Sequence, residues 1–129
     1  MRVYGRNVFN ELKSDPSKIK KIFLSKNVDN SIYTFVKENK ILFEVMETFK
    51  LDRLVTGVHQ GIVMEINDFE YSSLEEIMSF DKLIMLDHLE DPHNFGAIIR
   101  TAEALGVKGI IIPKNRSVSV NDTVMKVSV

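Results

Sequence analysis

The first seventy residues switch repeatedly between the helical and the strand spacing of apolar positions. A predicted helix over residues 5–13 places Val8, Phe9 and Leu12 on one face, and Asp15-Pro16 ends it. Three runs of apolar residues predict strands at 20–25, 41–46 and 62–66.

Two further helices are predicted between these strands. Asn30 is in position to cap a helix that continues to Lys40. The next helix, over residues 47–54, is expected to pack Phe49 and Leu54 inward. The order helix, strand, helix, strand, helix, strand is typical of a small α/β layer domain.

A second unit of alternating helices and strands is predicted after residue 70. A short helix over 73–80 is predicted, with Ser73 as cap and Glu76 in the capping-box position. The apolar run 82–86 indicates a parallel strand covered on both faces. The elements predicted to follow are a helix over 93–106, a strand over 109–112 and a helix capped by Asn121. Since two parallel strands do not make a stable doubly wound sheet, this unit is expected to be incomplete.

The charge of the whole chain does not indicate a binding partner, but the charge of one short segment does. The 129 residues carry 17 Lys/Arg and 18 Asp/Glu, so a basic footprint over the whole chain is absent. Five lysines nevertheless lie within residues 13–26 beside one acid, Asp15. This stretch is either ordinary solvated surface or a phosphate-contacting patch, with Lys18, Lys20 and Lys21 as the RNA-binding candidates.

The absence of cysteine excludes disulfides and Cys-based zinc sites, which fits a reducing cytoplasm. No apolar run approaches the length of a membrane span, so we expect neither a membrane segment nor a secretory signal.

The stretch from residue 86 to 102 carries the candidate chemistry. It joins the end of a buried parallel strand to a helix start, where ligands of open α/β sheets bind and free N–H groups suit a phosphate. On this helix Gly96 and Arg100 lie away from the residues predicted to face the sheet, which are Phe95, Ile98, Ile99, Ala102 and Leu105. Glycine in a helix interior costs about 1 kcal/mol relative to alanine, which indicates close approach by a ligand or another backbone. A surface arginine beside a helix-packing glycine is an equally good interpretation.

Other chemistries fit this stretch poorly. Five potential metal ligands fall within seven residues, but Pro92 and the helix start direct them apart, so we expect no metal site: Asp87, His88, Glu90, Asp91 and His93. The glycine fingerprint of dinucleotide-binding folds and the elbow motif of a Ser-His-Asp triad are both absent.

Residues 91–97, Asp-Pro-His-Asn-Phe-Gly-Ala, followed by Arg100-Thr101-Ala102, resemble the first signature motif of the SpoU/TrmH methyltransferases. Upstream, residues 4–8 (Tyr-Gly-Arg-Asn-Val) and 58–62 (Val-His-Gln-Gly-Ile) resemble the RNA-binding domain of the RlmB-like branch of that family. The likeness spans nearly the whole chain.

The resemblance implies two α/β domains. Residues 1–70 would form an RNA substrate-binding domain with the fold of small ribosomal proteins, and residues 71–80 a linker. Residues 81–129 would begin a SPOUT-type, trefoil-knot domain with a Rossmann-like parallel sheet. In this interpretation the donor-binding motifs lie beyond Val129, because residues 110–129 contain no glycine, and the 129-residue chain alone is inactive.

The function that the resemblance implies is S-adenosylmethionine-dependent methylation of a ribose 2′-hydroxyl in RNA, either 23S rRNA or tRNA, by a cytoplasmic homodimer. Asn94 and Arg100 would be the catalytic residues, and His59 and Gln60 further RNA-binding candidates. The alternatives are a non-catalytic RNA-binding module, a truncated remnant of such an enzyme, or a nucleotide- or phosphate-binding α/β domain of another kind.

Overall fold

The computed structural model describes residues 1–129 and divides them into two compact units, Met1–Asp68 and Phe69–Val129. The first unit contains four strands and three helices besides a 3₁₀ turn at Pro16–Lys18. The strands are β1 Arg2–Tyr4, β2 Ile19–Ser25, β3 Phe43–Met46 and β4 Ile62–Ile66. The helices are α1 Arg6–Leu12, α2 Asn30–Glu38 and α3 Thr48–Leu51.

The sheet of the first unit has the order β1-β4-β2-β3. β4 lies between β1 and β2 and is antiparallel to both, while β2 and β3 are parallel. Side chains alternate between the faces of a strand, yet Ile62, Val63 and Met64 are all fully buried, so β4 is covered on both faces. Strand β1 was not predicted, because three residues are too few to show a period of two.

Helices α1 and α2 largely follow the prediction. Val8, Phe9 and Leu12 are the buried residues of α1, and Phe9 meets Phe35 of α2 edge to face. The predicted cap of α2 was wrong, since Asn30 is its first residue and Asp29 occupies the N-cap position without a side-chain capping bond. The Asp29 carboxylate pairs instead with the Arg6 guanidinium at 3.0 Å.

Helix α3 corrects the prediction for Phe49. Leu51 is fully buried and packs with Tyr4, Phe23 and Val63 on one face of the sheet. Residues two positions apart on a helix point about 200° apart, so an inward Leu51 turns Phe49 outward, where it is 55% exposed. Leu54 packs inward against the same cluster, as predicted.

The second unit contains two parallel strands, β5 Leu83–Met85 and β6 Gly109–Ile111. Its helices are α4 Leu74–Ile77, α5 Pro92–Ala104 and α6 Asp122–Val127. The capping box of α4 is confirmed, since the Ser73 hydroxyl accepts from the Glu76 amide while the Glu76 carboxylate accepts from the Ser73 amide.

The sheet of the second unit is less covered than predicted. Met85 is 74% exposed, and Leu105, which was expected to face the sheet, is 66% exposed. A sheet of two strands presents too little surface to bury both faces. The buried hydrophobic residues of this unit are accordingly Phe95, Ala102 and Val124.

The segment 71–80, predicted as a linker, packs within the second unit. The Tyr71 hydroxyl accepts a hydrogen bond from the Val120 amide at 2.8 Å. Ile77 and Phe80 lie so close to Gly109 that a side chain at that position would contact both. The boundary between the two compact units therefore lies between Asp68 and Phe69, before the segment predicted as a linker.

None of the helices combines the length and the apolar character that a membrane crossing needs.

We expect limited proteolysis to cut first between residues 67 and 72, because this stretch lies outside helices and strands and connects two separately packed units. Mass spectrometry of the early fragments locates the cut. First cuts inside the sheet of the first unit would contradict the division into two domains.

Candidate functional site

Helix α5 follows the carboxyl end of β5, and a side-chain cap stabilises its first turn. The Asp91 carboxylate accepts a hydrogen bond from the Asn94 amide at 2.8 Å, and Pro92 occupies the first turn. The Asp91 side chain therefore holds this loop. The Asn94 side chain is exposed instead and lines a hollow of about 480 Å³ beside Ala97 and Thr101.

Arg100 lies on a different side of α5 from Asn94. Arg100 follows Asn94 by six positions, which places their side chains about 120° apart around the helix axis. The Arg100 guanidinium is exposed and forms neither an ion pair nor a hydrogen bond. Its five N–H donors are therefore available for an external anion.

Gly96 lies where α5 packs against α6. A Cβ added at Gly96 would lie 2.7 Å from the Val127 Cβ and 3.1 Å from the Val124 carbonyl oxygen. Asn121 fixes the start of α6, because its side-chain oxygen accepts from the Val124 amide at 2.9 Å. Of the two interpretations of this glycine, the structure supports close helix packing.

Hydrogen bonds connect the loop that follows β5 to the loop that follows β6. The Leu89 carbonyl accepts hydrogen bonds from the Val118 amide at 2.7 Å and the Ser117 hydroxyl at 3.1 Å. Beyond β6 a second hollow of about 470 Å³ is lined by Tyr71, Pro113 and Lys114 among others. Three of the potential metal ligands near α5 have local partners, since Asp91 caps the helix and Asp87 contacts His88.

The three lysines predicted to bind RNA have different surroundings in the structure. Lys18 lies 3.6 Å from Asp15, and the Ser17 hydroxyl, followed by Lys18, lowers the pKa of the Asp15 carboxyl below its usual value. Lys20 sits at an irregularity in the pairing of β2 with β4 and is exposed. Lys21 stays in the ladder, 2.9 Å from Glu44 and over the ring of Phe23.

Lys21 belongs to a row of alternating charges across the sheet. The row contains one residue from each strand in spatial order, namely Arg2, Glu65, Lys21 and Glu44. Because the Glu44 carboxylate lies 2.9 Å from the Lys21 ammonium, that charge has a partner within the sheet. The prediction of Lys21 as a phosphate contact is therefore not supported, while Lys18 and Lys20 keep exposed side chains.

His59 is a structural residue rather than an exposed contact. It is 6% exposed, and its Nε2 lies 2.8 Å from the Asp52 carboxylate. Its Nδ1 accepts from the Gly61 amide at 2.9 Å, so both ring nitrogens are used. The prediction that this ring contacts RNA fails because the side chain holds its own loop together.

Gln60 joins the two upstream motifs. Its side-chain oxygen accepts from the Arg6 amide at 3.0 Å and so satisfies the start of α1, where Gly5 has no side chain to cap it. The backbone links the motifs as well, since the Gly5 amide donates to the Ile62 carbonyl at 3.1 Å. Residues 4–8 and 58–62, distant in sequence, therefore meet at one corner, where Arg6, Asn7, Val58 and Gln60 are exposed.

Two protein families match the chain. The family described as RNA 2′-O ribose methyltransferase substrate binding matches residues 2–72, and the SpoU rRNA Methylase family matches residues 81–129.

A putative TrmH family tRNA/rRNA methyltransferase, YacO, of Bacillus subtilis is 38% identical and aligns with 98% of this chain and 55% of its own length. A putative TrmH family tRNA/rRNA methyltransferase of Staphylococcus haemolyticus is 36% identical with the same coverage. The chain thus spans about half the length of the curated relatives it matches.

Solved structures confirm the predicted fold class. An rRNA methyltransferase from Sinorhizobium meliloti superposes with a TM-score of 0.76 at 23% identity, over 98% of this chain and 49% of that one. The SpoU methyltransferase AviRb from Streptomyces viridochromogenes, solved in complex with AdoMet, gives 0.75 at 18% identity, over 99% and 49%.

Replacement of Gly96 by alanine should destabilise the second unit by about 1–2 kcal/mol, because overpacking against α6 exceeds the gain in helix propensity. Urea unfolding followed by circular dichroism, with hydrogen exchange of the α5 amides, measures this. The exposed Thr101→Ala serves as control and should change stability by no more than about 0.5 kcal/mol. A stabilising Gly96→Ala would mean that α6 does not pack on this face.

Proposed function

The chain belongs to the SpoU methyltransferase family, and from that premise we propose that it supplies the RNA-handling part of a ribose 2′-O-methyltransferase. The substrate of the whole protein is rRNA of the 23S type or tRNA, and S-adenosylmethionine is its methyl donor. The observation that carries the proposal is Arg100, an exposed and unpaired guanidinium on the helix that follows β5. The family motif and this free cation coincide on one element.

Arg100 acts in this proposal through charge rather than as a base. A ribose hydroxyl is a weak nucleophile and loses its proton as it attacks. Arginine is a poor general base because its pKa exceeds about 12. The planar guanidinium instead grips the phosphate beside the target ribose and stabilises negative charge that develops on the 2′-oxygen.

Asn94 contributes from the other side of the helix. Its exposed amide borders the hollow beside Thr101 and offers both donors and an acceptor to a nucleotide. Since Asn94 and Arg100 point about 120° apart, we assign them separate contacts, with Asn94 positioning the nucleotide and Arg100 binding phosphate.

No residue of this chain is assigned to the donor. When bound, S-adenosylmethionine supplies a methyl group on a positively charged sulfur. Residues 110–129 contain no glycine that would let the backbone approach such a nucleotide closely. We therefore assign the residues of this chain to binding and positioning the RNA substrate.

In the first unit we propose RNA contacts by Lys18, Lys20 and Gln60, whose side chains are exposed. Lys18 ends the 3₁₀ turn before β2 and Lys20 lies near the start of β2, and both side chains suit phosphates. Gln60 lies at the exposed corner where the two upstream motifs meet. A cytoplasmic homodimer is part of the proposal for the whole protein.

A tritium-methyl transfer assay on rRNA and tRNA tests the role of Arg100. The proteins compared are this chain, the longest protein that its reading frame encodes, and that longer protein with Arg100→Ala. Loss of the guanidinium should lower the rate about 100- to 1000-fold, as loss of one oxyanion donor does. Arg100→Lys should recover part of the rate, because lysine keeps the charge without the two-pronged grip.

Glu103→Gln is the matched control, since it changes an exposed charged residue on the same helix and should leave the rate unchanged. An undiminished rate with Arg100→Ala would remove the assigned role. Methyl transfer by the 129-residue chain itself would show that residues of this chain do bind the donor.

A further inference from the structure

Helix α3 carries an exposed aromatic ring. Phe49 is 55% exposed, whereas the other aromatic side chains of residues 1–68 are buried or half-buried. A single exposed apolar residue is common on protein surfaces, so its surroundings decide whether the ring has a function.

A cation accompanies this ring. The Arg53 guanidinium, one turn later, lies 5.8 Å from the centroid of the Phe49 ring. Neither Arg53 nor Lys50 forms an ion pair, because the two neighbouring carboxylates have other partners. Glu47 pairs with Lys26, and Asp52 pairs with His59. The surface around Phe49 therefore presents an aromatic face with two cations that form no ion pair, near the Asp52 carboxylate that is hydrogen-bonded to the His59 ring.

The ring is held on a fixed support. Leu51 anchors α3 in the core cluster, and the Thr48 hydroxyl lies 3.0 Å from the Ser25 hydroxyl at the start of the helix. The Asp52–His59 contact fixes the end of the same helix. Because its helix is anchored at both ends, the backbone position of Phe49 is fixed, which lowers the entropy that binding would cost.

This combination is suited to an unpaired nucleotide. Every base has an aromatic face that stacks on a phenylalanine ring, and guanidinium groups add stacking and phosphate contacts. Bases in a duplex are already stacked on one another and cannot offer that face. A platform of this kind discriminates single-stranded loops from helices rather than one base sequence from another.

We propose that Phe49, with Arg53 and Lys50, is a stacking platform for an unpaired base of the RNA substrate. The inference rests on the proposed RNA function of the chain. The platform lies at the same end of the sheet as Gln60, since Ser25 contacts both Thr48 and Gly61. An unpaired loop can therefore be held at this end, with Gln60 close to its backbone.

Fluorescence anisotropy with the whole chain tests the platform, using labelled single-stranded RNA of about 12 nucleotides and a blunt RNA duplex of the same length. Phe49→Ala should weaken binding of the single strand about 5- to 100-fold and leave duplex binding unchanged. Phe49→Tyr should retain the affinity because it keeps the ring. Arg53→Ala should reduce the salt slope of single-strand binding by about 0.7.

Leu42→Ala is the matched control, since Leu42 is even more exposed, at 65%, but is not on α3, and it should leave both affinities unchanged. Circular dichroism confirms that each variant is folded. If the wild-type chain binds neither RNA, the proposed function fails and the platform with it. If the wild type binds and Phe49→Ala binds equally well, the platform alone is wrong. A changed sedimentation coefficient for Phe49→Ala with unchanged RNA affinity would assign the ring to a protein contact and overturn the proposal.

Discussion

The burial of β4 on both faces is the constraint on which the first unit depends. Ile62 and Met64 point to one face of the sheet and Val63 to the other, and all three are fully buried. The antiparallel pairing of β4 with β1 brings the start of the chain against residues 58–62. Val63 in turn requires a cover, which Leu51 of α3 supplies. The exposed position of Phe49 and the meeting of the upstream motifs both follow from this arrangement.

The second unit depends on helix termini and helix packing more than on its sheet. Asp91 fixes the start of α5, Asn121 fixes the start of α6, and Gly96 lets the two helices approach. Gly96 lies one turn from Arg100 on the same side of α5, and the Arg100 guanidinium is nevertheless exposed. The same arrangement explains how a unit with a two-stranded sheet can still present Asn94 and Arg100 on a defined helix.

Several local features were predictable from the sequence, although the cap of α2 was not, and features that depend on distant partners were missed. The capping box at Ser73 and the cap at Asn121 are set by residues within one turn, and both were predicted. The burial of His59 depends on Asp52, and the neutralisation of Lys21 depends on neighbours from other strands. Nothing in the spacing of α3 showed that Leu51 rather than Phe49 would take the inward position. The roles proposed for Asn94 and Arg100 came from the family resemblance, because their spacing alone left two interpretations open.

The most direct test of the claim that this chain handles RNA is a residue-resolved NMR titration of the whole chain with single-stranded RNA. If the chain binds RNA as proposed, backbone amide signals shift in three places, which are residues 48–53 with the corner at Gln60, residues 18–20, and α5 between Asn94 and Arg100. The hollow formed by Lys37, Lys40 and Leu42 should remain unchanged. The absence of shifts, or shifts confined to that hollow, would contradict the account.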